Sequence, residues 1–168
     1  MEAKLPRTRP LLAEIARTGI YVPDALRQQV GALCYRVNMA TNEVEILLIT
    51  TRKSHRWAIP KGWPMGGKAP HEAAKQEALE EAGVSGKISK KVFGHFTYLK
   101  YLPDGERVPC MVQVHLLRVE FTVAAYKERG QREIIWCSCF EAAIKVNEPE
   151  LKGLFRLLYD RHRAGRLR

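Results

Sequence analysis

At 168 residues and 46% hydrophobic content, the chain is long enough to bury one proper core and short for two. Its 28 Lys+Arg against 18 Asp+Glu leave a net charge of +10, which favours anionic partners such as phosphates, nucleic acid or acidic membrane surfaces without choosing among them. No run approaches the roughly 18 apolar residues that span a bilayer, and the first twenty residues lack the apolar core of a signal peptide, so a soluble protein with no membrane partner is expected.

Residues 1–29 carry Pro6, Pro10 and Pro23 among basic residues and read as an N-terminal basic arm. The domain is expected over 30–160. It opens with "VGALCYRV" from Val30 and "VEILLITT" from Val44, two strand-like runs joined by a turn and expected to form a hairpin. "RWAIP" stops at Pro60, and "KGWPMGG" predicts a tight, shaped loop. A helix should run from about Pro70, which suits its first position, to Gly83, which suits its C-terminal cap. Strands return in "KVFGHFTYL" and "VPCMVQVHLLRVEFTV", separated by the turn "PDGE", and again in "IIWCS". Ser138 with Glu141 and Asn147 with Glu150 offer capping boxes for two final helices. Leu151, Leu154, Phe155 and Leu158 make the apolar stripe of the second, and residues 161–168 form a basic, frayed tail. The order fits an α/β (α+β) fold with a mixed sheet flanked by helices. Cys34, Cys110, Cys137 and Cys139 lack disulfide or zinc spacing, so buried thiols in a reduced, cytoplasmic setting are expected.

The chemistry concentrates on the helix from Pro70. On an α-helix, Glu77, Glu80 and Glu81 project within a wedge of roughly 100 degrees. Three anions on one face, near the negative end of the helix dipole, destabilise it, and no residue at helical spacing neutralises them fully. A solvated acidic face is the plain alternative; a hard divalent cation, magnesium or manganese, is the functional one.

The stretch "GWPMGGKAPHEAAKQEALEEAGV" resembles the box of the Nudix hydrolases, G-x5-E-x7-R-E-U-x-E-E-x-G-U, in Gly62, Glu77, Ala78, Glu80, Glu81, Gly83 and Val84. Two positions depart from it: Lys68 stands for the box's first Glu and Gln76 for its Arg, a pair that in the family supports the carboxylates. Glu72, four residues before Gln76, is expected to accept its amide and restore part of that support. "EVEILLITTRKSHRWAIPKG" and "GQREIIWCSCFEAAIKV" extend the resemblance towards the diphosphoinositol and dinucleoside polyphosphate branch, over about residues 30–160.

The resemblance implies an α/β/α sandwich and a metal-dependent hydrolase of a phosphoanhydride in a phosphate-rich small molecule. Glu77 and Glu81 would be the principal magnesium ligands, with Glu80 a further ligand or the orienting group. A base or extra ligand from outside the box falls to Glu128 or Glu133, with Glu133 the working candidate. Arg36, Arg52, Arg56, Lys61, Lys100 and Arg107 are candidates for phosphate contacts, beside Gly62 of the shaped loop and Trp63, which could stack a ring; Trp57 reads as core and His55 as exposed. Removal of pyrophosphate from an RNA 5′ end, and a non-catalytic sensor favoured by Lys68 and Gln76, are the alternative readings.

Overall fold

The computed structural model describes residues 26–167. The expected basic arm lies outside the described residues as far as residue 25, and its last residues already belong to the first strand, because Arg27, Gln28 and Gln29 pair with Cys110, Met111 and Val112. In chain order the elements are β1 (Arg27–Asn38), β2 (Glu43–Thr50), β3 (Trp57–Ala58), β4 (Lys61–Gly62), α1 (Pro70–Ala82), β5 (Val84–Tyr101), β6 (Arg107–Thr122), β7 (Ile134–Ser138), α2 (Cys139–Lys145) and α3 (Pro149–Arg163).

The expected hairpin forms between β1 and β2, with Asn38 opposite Glu43, and the Asn38 side chain accepts the Ala40 amide in the turn. The sheet runs β3-β2-β1-β6-β5, with β4 added to β1 and β7 to β2. It is mixed: β1 and β6 are parallel and every other pair is antiparallel.

Alternation along β1 and β2 feeds two cores. Ala32, Cys34, Leu47 and Ile49 face α1, which buries Ala73, Ala74, Ala78 and Ala82; such small side chains let the helix lie close to the sheet. Leu33, Tyr35, Ile46 and Leu48 face the other way, against α2 and α3, where the stripe of Leu151, Leu154, Phe155 and Leu158 packs as expected. The result is an α/β/α sandwich.

Three local expectations change. β5 begins at Val84, directly after the helix cap and ahead of the expected start at Lys91; shifts of register at Ser85/Gly86, Ile88/Val92 and Val92/Gly94 break the apolar alternation of its first half and hide it from the sequence pattern. α3 continues to Arg163, so the first three residues of the expected tail are helical, and Leu167 packs against the core. Asn147 and Glu150 do not cap α3: the helix enters through Pro149 after Glu148, with no side-chain cap, and Glu150 instead accepts the Thr97 hydroxyl at 2.7 Å. The Ser138–Glu141 box forms in both directions.

Among the described residues no helix is long and apolar enough to cross a membrane. All four cysteines are free and buried.

Candidate active site

The site lies where the loop after β4 meets α1. A β-carbon at Gly62 would overlap the Glu77 carboxylate, so only glycine lets that side chain rest against the strand. One residue earlier, the Lys61 amide donates to Glu81 Oε2 at 3.1 Å. At the far end of the helix, Gly83 adopts the left-handed conformation, φ 66°, and sends its amide back to Leu79. Both glycines that frame the carboxylates therefore have a steric reason to be there.

Neutralisation comes from the segment 123–133, between β6 and β7. The Val123 amide donates to Gly83 O at 2.8 Å and the Glu128 amide to Glu80 O at 3.0 Å, satisfying carbonyls at the helix end. Lys127 Nζ reaches Glu80 Oε2 at 3.2 Å. Arg132, whose side chain is only 9% exposed, reaches Glu81 Oε1 and Glu128 Oε2, each at 2.8 Å. None of these partners is signalled by helical spacing, and "GQRE" carries no pattern that marks Arg132 as buried.

The expected Glu72–Gln76 bond is not made. Glu72 Oε2 accepts the Ala69 amide at the helix start, at 3.0 Å, while Gln76 Nε2 turns the other way and donates to Glu80 Oε1 at 2.8 Å. Glu80 is thereby held below its ordinary pKa, first by Gln76 and then by Lys127. Burial pushes Glu81 up, opposed by Lys61 and Arg132. Glu77 is pushed furthest, to about 7, by burial and by the charges of Glu81, Glu80 and Glu128. Among the described residues no three such side chains close into a ready-made cation cage. They fan out, Glu77 to Gly62, Glu80 to Gln76 and Lys127, and Glu81 to Lys61 and Arg132.

Of the two outside carboxylates, Glu128 joins this group and Glu133 does not. Glu133 is exposed, and its backbone pairs with Thr50. Among the cations, Arg52 lies at the rim, 3.3 Å from Glu128. Lys61 Nζ lies 5.0 Å from the Tyr98 ring, and Lys100 Nζ sits 5.5 Å from the Trp63 ring, which is 41% exposed. Burial lowers the Lys61 pKa, with Glu81 opposing and Lys100 adding to the shift. Arg56 pairs with the buried Glu148 at 3.3 Å, on the α3 side of the sheet. Arg107 is exposed at the start of β6, opposite Tyr101. Arg36 is removed from the group: it pairs with Glu45 at 2.6 Å and covers the Trp136 ring towards the opposite end of β1. Trp57 packs on the core and His55 is exposed in its turn, as expected.

A mixed-sheet sandwich that presents a glycine-framed carboxylate helix defines the class. Residues 27–158 match the NUDIX domain, and the chain belongs to the Nudix hydrolase family. It is 31% identical over 145 residues to Nudix hydrolase 18, mitochondrial, of Arabidopsis thaliana, covering 80% of this chain and 77% of that protein. Over 81 residues it is 35% identical to diphosphoinositol polyphosphate phosphohydrolase 3-beta of Bos taurus, covering 48% of this chain and 47% of the relative. A C. elegans Ap4A hydrolase in a binary complex shares the fold, with a TM-score of 0.57 at 21% identity, over 83% of this chain and 98% of that one. So does the NUDIX domain of Shewanella oneidensis NrtR complexed with ADP ribose, with a TM-score of 0.55 at 11% identity over 87% and 97% of the two chains.

Proposed function

We propose that the chain is a divalent-cation-dependent hydrolase that cleaves a phosphoanhydride bond in a highly anionic substrate, a diphosphoinositol polyphosphate or a dinucleoside polyphosphate. The observation that carries this reading is geometric: Glu77 against Gly62, Glu81 on the Lys61 amide and Glu80 beside them bring three carboxylates together on α1, and burial with their mutual repulsion raises the Glu77 carboxyl. Oxygen-only donors fit a hard cation such as magnesium, or manganese in its place. Glu77, Glu80 and Glu81 would hold it.

Such a cation would supply neutralisation of the diphosphate and polarisation of phosphorus. The chain's own residues do the rest. Lys61 and Lys100 offer positive charge to phosphates beside the carboxylates, Arg52 stands at the rim, and the exposed Trp63 ring offers a stacking surface. Glu128, tied to Arg132 and next to the helix carboxylates, takes the proton from water as its oxygen bonds to phosphorus and the bridging P–O bond breaks. Four buried free thiols suit a reducing compartment such as the cytoplasm.

The test is magnesium-dependent phosphate release from a panel of nucleoside diphosphate derivatives, dinucleoside polyphosphates, inositol pyrophosphates and 5′-triphosphorylated RNA, with Glu81→Gln as control. Turnover of the inositol or dinucleotide compounds, lost in Glu81→Gln, is expected. Turnover of the RNA alone would move the assignment to RNA 5′ ends, and tight binding without turnover of anything would make the domain a sensor.

A further inference from the structure

Arg132 sits just before β7 and donates in three directions at once. Nη2 meets Glu81 Oε1 on α1 at 2.8 Å, Nε meets Glu128 Oε2 on the connecting segment at 2.8 Å, and Nη1 meets the Thr50 carbonyl at the end of β2 at 2.9 Å. Its own strand is anchored on the same residue, since the Glu133 amide donates to Thr50 Oγ1 at 2.9 Å. The guanidinium therefore joins three separate elements and is almost wholly enclosed.

The helix itself offers no equivalent. Position 76, where the box has Arg, holds a glutamine whose amide is committed to Glu80, and Lys68 is exposed. We propose that Arg132 is the positioning residue for Glu81 and Glu128, and that it supplies from outside the box the support that a box arginine would give. The inference rests on the reading that this carboxylate face takes a divalent cation. Geometry, beyond charge, is what Arg132 contributes: a planar fork serves three fixed acceptors, whereas a lysine delivers its charge at one point. Groups that orient ligands in this way change metal affinity by about 10- to 100-fold when removed.

Mn2+ alone is titrated into the purified chain, with the free ion read by electron paramagnetic resonance, well below the melting temperature of each variant. Arg132→Lys keeps the charge and loses the fork, and it weakens Mn2+ binding about tenfold or more. Arg132→Gln, neutral but still a donor, weakens it as well and serves if the lysine variant does not fold. Adding Gln76→Arg to Arg132→Lys recovers affinity without recovering melting temperature, a separation that a merely structural arginine does not produce. An Arg132→Lys variant that binds Mn2+ as the parent does, or more tightly, overturns the inference and reduces Arg132 to a counter-ion. If the parent chain takes up no Mn2+, the functional reading itself falls and the inference falls with it.

Discussion

Gly62 shows how little room the site leaves. Glu77 occupies the volume that a side chain at residue 62 would need, so Gly62→Ala must either push the strand out or turn the carboxylate away. Displacement of a reacting-centre group by about an ångström costs on the order of 100-fold in rate. Gly62→Ala should lose that much turnover while keeping its far-ultraviolet circular dichroism. The charge on Glu77 makes a second test. Its carboxyl is raised from 4.5 to about 7, so the folded chain holds a proton that the unfolded chain has released across that interval. Stability from Glu77 is thus fully present below 4.5 and lost as the pH rises through about 7. In EDTA, Glu77→Gln should be the more stable protein at pH 8, by on the order of 1 kcal/mol once solvent screening of this partly exposed carboxyl is allowed for, with the gain shrinking towards pH 5. Thermal melts of both proteins at the two pH values check this; a gain of equal size at both would contradict it.

At the scale of elements, the two capping sequences make a controlled comparison. Ser138 and Glu141 each accept the other's backbone amide, at 3.2 and 3.0 Å, so Ser138→Ala should cost about 1 kcal/mol in urea denaturation. Asn147 has the same spacing to Glu150, yet α3 is started by Pro149, and Glu148 is occupied by Arg56. Asn147→Ala should stay within about 0.5 kcal/mol of the parent. Legibility follows the same division between local and distant causes. The hairpin, both ends of α1 and the stripe on α3 are set by neighbouring residues, and each was readable. The parallel pairing of Arg27–Tyr35 with Cys110–Arg118 is set by no local signal. The polar, bulged start of β5 hides its strand character, and Arg132 reaches Glu81 across 51 residues of chain. The candidate carboxylates of α1 are therefore legible in the sequence, and what holds them is not.

For the molecule as a whole, the two-residue strand β4 couples the two faces of the sheet. The Lys61 amide serves Glu81 on the α1 side, while its ammonium lies by Tyr98, a residue of the α3-side core whose hydroxyl meets Gln29. Lys100 and Trp63 extend this region outward. Carboxylates and cations thus meet at one end of the sheet, within a chain of net charge +10, and on the proposed function the first would attract a metal ion and the second phosphate. Attraction of this kind acts on binding more than on the chemical step, and salt screens it. Lys100→Ala should therefore raise KM about three- to tenfold with a smaller change in kcat, and the effect should grow with the number of phosphates on the substrate and fade at high ionic strength. Arg36 provides the contrast. It lies five residues beyond Gly31 on β1, about 16 Å along the strand, and is already committed to Glu45 and Trp136. Arg36→Ala removes the same formal charge from the same sheet, so an equal rise in KM for both variants would mean that overall charge, and not the cluster beside β4, draws the substrate in.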